Sequence, residues 1–444
     1  MSKRSWYDLM WVVFVILLLT ACNEKKEPML DQPVELKVMH WNEDSFYSEY
    51  GDMISAKYPN LTFKVLPVQG IFGDKLAEFV EKEKPDLIML NTAREIGLLK
   101  EKGQLAELDP YISKDKFDLD TINPRILDML REEGEGKLYT LSPTFQGEGL
   151  YYNKDLFDKH GVPYPTDQMT WEEVLELAAR IPKGTKENPL YGLDMNNTQP
   201  SFFFTMNLGQ TEGLQFIDLD ERKITLDTEG WRHIWELGIK SLKEGILAPA
   251  FSPSNKVQAY DAPSANKFIN GQAAMTLQGS YFISELKRAA SNAKNPQKVN
   301  WGLVTEPVSS KDRNSGRGIY IYGMYGVNSA SPYKEAAWEV IKYINGDEWT
   351  RIRSRNESQL MSRTAYNKEV DGRSLEPFWK LKYSKGLIDF TKYPPNFNID
   401  ELAGVEIQQI LDGNKTVEQA LNDLQVSAQR ALDSADKLAA ENKK

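Results

Sequence analysis

Asp86-Leu-Ile-Met-Leu90 carries no polar side chain after its first residue, and a strand this apolar is buried on both faces. That requires helices above and below it, which is the environment of a parallel sheet. The flanking sequence agrees. Glu35 to Trp41 reads as a strand, Phe46, Tyr50, Met53 and Ile54 recur at helical spacing until Pro59, Leu61 to Val68 reads as a second strand, and a helix begins at about Gly73. Strands alternating with helices predict an α/β lobe.

A second set of elements begins after Pro143. Gly149-Leu-Tyr-Tyr152 reads as a strand, and Thr170-Trp-Glu-Glu173 has the spacing of a capping box, in which the threonine hydroxyl and the glutamate each satisfy a free backbone amide. Trp171, Val174, Leu175, Ala178 and Ile181 then form one apolar stripe ending at Pro182. Trp231, Ile234, Trp235, Gly238 and Leu242 repeat the pattern, as do Ala337, Val340, Ile341 and Ile344. Such stripes pack into cores, so Trp231, Trp235 and Trp338 are read as structural. Thr416-Val-Glu-Gln419 starts a last boxed helix carrying Val417, Ala420, Leu421, Leu424, Ala428 and Ala431. With 444 residues the chain exceeds one ordinary core, and two or three domains are expected at roughly 100–200 residues each.

Lys3 and Arg4 precede an apolar stretch from Leu9 to Leu19, which has the length of a signal-peptide core and is short for a membrane span. Leu19-Thr20-Ala21-Cys22 follows at once and holds the only cysteine of the chain. It resembles the bacterial lipoprotein box, so residues 1–21 are read as a signal peptide, Cys22 as the lipidation site and residues 22–32 as a polar tether. The competing reading is a transmembrane anchor bracketed by Asp8 and Glu24, with an incidental cysteine. On the first reading the protein is extracytoplasmic and anchored to the cell membrane. One cysteine cannot form an intrachain disulfide. His40, His160 and His233 lie far apart and make no metal-ligand pair at short spacing. A net charge of −10 with no basic run argues against nucleic acid as a partner.

Five segments, in order, resemble the extracellular solute-binding proteins of ABC importers, in the carbohydrate-directed family that includes maltose-binding protein. They are Lys84–Leu90 with Gly103–Pro110, Gly136–Tyr139 through Tyr152–Phe157 and Gly161–Pro163 to Trp171–Val174, Phe268–Met275 with Gly279–Tyr281, Gly326–Pro332 with Lys334–Trp338, and the Thr416 helix. The resemblance implies a two-lobe, periplasmic-binding-protein-like (type II) α/β fold, with a hinge and an interlobe ligand cleft. Lobe 1 would comprise 33–142 and 305–357, and lobe 2 143–304 and 358–444. It also implies a monomer that captures a carbohydrate by hinge closure and delivers it to ABC permease subunits, with no cofactor and no catalysis.

Trp41, Asn42 and Glu43 end the first strand, where α/β sheets expose side chains to a cleft. An indole beside an amide and a carboxylate suits a sugar, whose C–H face packs on the ring while its hydroxyls need in-plane partners; for Asn42 a helix cap is the alternative. The resemblance adds Asn91, Thr92 and Arg94 after the third strand, Gln146 at the first crossing, Tyr281 as a stacking aromatic and Arg363 in the last return loop. Of Phe202, Phe203 and Phe204, one is expected to face the cleft, with Phe203 the candidate. Asn398-Ile-Asp-Glu-Leu402 stands where maltose-binding protein has a stacking tryptophan, so a maltodextrin is not the expected ligand. Two other readings compete. A secreted glycoside hydrolase would need a carboxylate pair, and a polyamine binder of the same fold would use Glu43 and Glu148. A binding protein that never serves a permease has the same sequence signature as an importer component.

Overall fold

The computed structural model describes residues 32–195, 200–249, 266–293, 296–355, 359–384, 394 and 397–441. The apolar segment Leu9 to Leu19, Cys22 and the tether up to residue 31 lie outside them, as does the expected crossing at 357/358.

Two sheets organise the chain. The first has the order β2-β1-β3-β13-β4. Strands β1 (Val34–His40) and β2 (Leu61–Pro67) run parallel from Val34↔Leu61 to His40↔Pro67. β3 (Leu87–Leu90) lies parallel to β1, and every one of its residues is buried, as its composition predicts. β4 (Thr140–Leu141) closes the edge. Between β1 and β2 the chain is helical, as the spacing of Phe46, Tyr50 and Ile54 requires, but Tyr47–Gly51 forms a π-helical turn between the α-helical stretches Glu43–Phe46 and Asp52–Lys57. Gly51 is needed there, since a Cβ would sit 2.7 Å from the Tyr47 ring and 2.9 Å from that of Phe46.

The second sheet has the order β10-β5-β9-β6, centred on the long strand β5 (Thr144–Asn153). Its partners are β6 (Tyr191–Asp194), β9 (Ala273–Gly279) and β10 (Trp301–Thr305); β7 (Ile217–Asp218) and β8 (Lys223–Ile224) form a separate small hairpin. Thr305 pairs with Gly149, so it still belongs to the second sheet. The chain then passes through β11 (Ser315–Gly316) and β12 (Ile319–Tyr320) before rejoining the first sheet at β13 (Met324–Val327). The last crossing carries β14 (Leu360–Met361), and β15 (Lys382–Tyr383) pairs with β11. Both β12 and β14 bond to the first residues of β5, so all three crossings are stitched together at one place.

Two apolar cores match this division. One gathers Leu36, Val38, Leu87 and Trp338 and continues into Tyr151, Trp301 and Phe378; the other holds Trp171, Trp231, Trp235 and Leu421. The Thr170 capping box forms in full, as does the reciprocal pair of Thr416 and Gln419. In the final helix, Val417–Glu441, the buried face passes from Ala428 to Leu432 and Ala435, while Ala431 is half-buried. Trp231, Trp235 and Trp338 are each at most 1 % exposed, and truncating any of them to alanine would cost about 3–5 kcal/mol.

Candidate functional site

A cavity of about 360 Å³ opens between the two sheets. From the first come Asn91 and Thr92 at the carboxyl end of β3, and Arg94 at the start of the Arg94–Glu101 helix. From the second come Phe203, Met206, Asn207 and Gln210 along the Pro200–Thr211 helix, and Glu148 on β5. The segment between β10 and β13 adds Glu306, Arg317, Tyr320 and Tyr322.

Local structure explains each placement. Asn91 ends a fully buried strand and is only 4 % exposed, yet both polar atoms of its side chain lack a hydrogen-bond partner. The amides of Asn91 and Thr92 instead donate to the Glu95 carboxylate, at 2.7 and 3.3 Å. Burial pushes the Glu95 carboxyl up and these two amides pull it back, so the helix N-terminus is already occupied by its own acid. In the phenylalanine run, Phe202 and Phe204 are core while Phe203 is 49 % exposed. Arg317-Gly-Ile-Tyr-Ile-Tyr322 alternates like a strand: Ile319 and Ile321 are buried, and Tyr320 and Tyr322 are 44 % and 54 % exposed.

The charged groups are unequally committed. Glu306 accepts from the Arg125 guanidinium at 2.7 Å, from the Arg317 amide at 3.1 Å and from the Gly318 amide. The Arg317 guanidinium donates to the backbone carbonyl and the side-chain oxygen of Gln210, leaving the Gln210 side-chain nitrogen without a partner. Burial lowers Arg317, and the like charge of Arg94 adds to this against the pull of Tyr320 and Glu306. The charge of Glu148, then burial, push the Tyr320 phenol far above its ordinary range.

Of the ten residues expected to contact ligand, Asn91, Thr92, Arg94 and Phe203 line this cavity and the other six do not. Trp41 is half-buried against the first core. Asn42 is a helix cap, accepting from the Ser45 amide at 2.8 Å, and Glu43 is exposed in the turn it caps. The Gln146 side-chain oxygen accepts from the Ser280 hydroxyl at 2.8 Å. Tyr281 is 47 % exposed and donates to Gln278, with Glu148 and Tyr322 near enough to influence its phenol. The Arg363 guanidinium is buried away from this cavity, donating to the carbonyls of Asn345 and Asp118 and pairing with the Asp118 carboxylate. Sequence reasoning missed Glu306, Gln210, Arg317, Tyr320 and Tyr322 as cavity residues. The alternation after Arg317 was the available signal for the two tyrosines. Among the described residues no three His, Cys, Asp or Glu side chains converge as a metal ion would require.

The profile of the bacterial extracellular solute-binding proteins matches residues 42–351. The chain belongs to that family. A protein of known structure, described as a sugar transporter from Rhizobium etli in an open conformation, superposes with a TM-score of 0.64 at 23 % identity, covering 89 % of this chain and 99 % of that one. The fold is therefore the two-lobe architecture of the family. By sequence, a protein of Brucella abortus (strain 2308) that is named for binding alone is 23 % identical over 326 residues, 71 % of this chain and 72 % of its own. The diacetylchitobiose binding protein NgcE of Streptomyces coelicolor is 26 % identical over 265 residues, 58 % of this chain and 54 % of its own. Among the described residues no helix is long and apolar enough to cross a membrane.

Proposed function

We propose that this protein captures a neutral or weakly acidic oligosaccharide in the cleft between its lobes, closes on it, and delivers it to an ABC permease, acting as a monomer held to the cell membrane by lipid on Cys22. The observation that carries the reading is one cleft holding three exposed aromatic faces, Phe203, Tyr320 and Tyr322, beside the buried and unpartnered amide of Asn91. Aromatic faces take the C–H side of a pyranose, and an in-plane amide serves a pair of its hydroxyls. The binding of diacetylchitobiose by one relative is in keeping with this. Two lobes joined by strands can close on a ligand that contacts both, and such a ligand shifts the population toward the closed form by its differential affinity.

The rival readings fit the cavity less well. A polyamine would meet the guanidinium groups of Arg94 and Arg317 in the same wall. A hydrolase would need a carboxyl pair; of the acids lining the cavity, Glu133, Glu148 and Glu306, both oxygens of Glu306 are engaged by Arg125 and by two backbone amides.

A thermal-shift screen over neutral mono- and oligosaccharides tests the ligand class, because a ligand that binds only the folded state raises the melting temperature. A stabilising oligosaccharide is expected, recovered uncleaved by mass spectrometry. Stabilisation by polyamines alone, or cleavage abolished by one Glu or Asp substitution, would contradict it. For the anchor, Cys22→Ala should move the protein from the membrane fraction to the soluble one; a variant that stays membrane-bound would refute the lipid attachment.

A further inference from the structure

Glu148 and Glu306 both pack against a single glycine, Gly318. The Glu148 Cβ and the Glu306 Oε2 each lie 2.6 Å from the point where a Cβ on Gly318 would sit, so only glycine at this position lets two acids stand side by side. The Glu148 amide donates to the Gly318 carbonyl at 2.6 Å, which fixes the pair in register.

The two acids are provided for differently. Glu306 is 5 % exposed and its carboxylate accepts from Arg125, the Arg317 amide and the Gly318 amide. No group among the described residues donates to the carboxyl of Glu148, which instead lines the cavity. The charged and titratable groups facing it are Glu306 and Arg317 from the crossing segment, Arg125 from the Pro124–Glu133 helix, Tyr320 from β12 and Tyr281 from the loop after β9. Arg125 is paired to Glu306, and the Arg317 guanidinium is turned to Gln210. Glu148 is half-buried at the cavity wall, so a second negative charge here would be partly desolvated, beside a like charge, and without a hydrogen-bond donor among the described residues.

We propose that Glu148 meets the ligand as a neutral carboxylic acid and donates a hydrogen bond to a sugar oxygen. Each part of the environment favours that form. Burial first, then the Glu306 carboxylate, push the Glu148 carboxyl up to about 8, against the opposing pull of Arg125 and Arg317. A neutral acid offers one donor and retains acceptor capacity, which suits a ring or glycosidic oxygen that can only accept. It would also select against cationic solutes, since these would require the acid to ionise.

The inference rests on the saccharide reading of the same cleft, and two measurements separate their failures. In the first, the carboxyl resonances of ¹³C-glutamate-labelled, ligand-free protein are titrated. The resonance that disappears in Glu148→Gln should titrate near pH 8; a midpoint in the ordinary carboxylate range overturns the proposal. In the second, affinities for diacetylchitobiose and maltotriose are measured at pH 7 and pH 9. For whichever of the two binds, the parent should weaken by about tenfold between these values as the neutral fraction falls. Glu148→Gln should show a flat profile, and Glu148→Ala should bind at least about tenfold more weakly at pH 7. A parent affinity that holds or rises with pH overturns the donor assignment while leaving the saccharide reading intact. Failure of both saccharides and of the wider neutral panel would instead mark failure of the saccharide reading, and the donor role would fall with it.

Discussion

The Arg125 guanidinium donates to the Glu306 carboxylate at 2.7 Å with both side chains buried, 2 % and 6 % exposed, and so bonds the Pro124–Glu133 helix to the residue just after β10. Removing one partner of a buried ion pair leaves the other charge uncompensated, which costs about 3–5 kcal/mol. Arg125→Ala is therefore expected to lower the denaturation midpoint strongly, and the double variant Arg125→Met with Glu306→Leu to recover part of the loss. A single variant as stable as the parent would show that the pair carries no load.

Phe203 and Tyr320 supply exposed ring faces to the cleft, whereas Trp235 is wholly buried on its helix stripe. Phe203→Ala and Tyr320→Ala should each weaken binding of the stabilising saccharide by about 30-fold, corresponding to about 2 kcal/mol, with little change in melting temperature. Trp235→Phe should do the reverse. Titration calorimetry beside thermal melts checks both signs, and affinities within about twofold of the parent for both cleft variants would place the ligand elsewhere.

Asn91 predicts an unusual combination. Its buried amide has no protein hydrogen-bond partner, and a group left so costs about 1–3 kcal/mol. Asn91→Ala should hold or raise the melting temperature of the free protein while weakening saccharide binding. A variant that loses stability and keeps affinity would make Asn91 a structural residue.

His40 is buried, with Nδ1 2.7 Å from the Tyr325 hydroxyl, and burial lowers its pKa to about 4. The unfolded chain takes up this proton at about pH 6.5, before the folded one does. The contribution of a neutral His40 is thus present in full above that pH and is lost as pH falls toward 4, by at most about 3 kcal/mol. Denaturant melts from pH 7 to pH 4 should show this slope, reduced in His40→Asn; an unchanged slope would exclude His40 as its source.

The parts of the fold that follow from local rules were legible in the sequence. The apolar run Leu87–Leu90 announced a strand covered on both faces, and Thr170 with Glu173 announced a helix start, because each depends on neighbours in the chain. The π-helical turn at Tyr47–Gly51 was not legible, since it accommodates rings that meet only after packing. The surroundings of Arg363 were not legible for a related reason: a guanidinium in a return loop suits a ligand as well as it suits Asp118 and the Asn345 carbonyl, and only the tertiary structure brings those partners to it. The pairing of Glu148 with Glu306 joins residues far apart in sequence through Gly318, so nothing local announces it. Tyr320 and Tyr322 were within reach, because their alternation with Ile319 and Ile321 is a strand period with one wet face.

The central claim is that a saccharide held between Asn91 on one lobe and Phe203 on the other draws the lobes together. Small-angle scattering with and without a saturating saccharide from the thermal-shift screen measures this directly. A ligand with equal affinity for the open and closed forms would shift no population, however tightly it bound. The account predicts a smaller radius of gyration in the bound state, and for Phe203→Ala the same contraction only at about 30-fold higher ligand concentration. An unchanged scattering curve for the parent, at saturation proven by calorimetry, would contradict it.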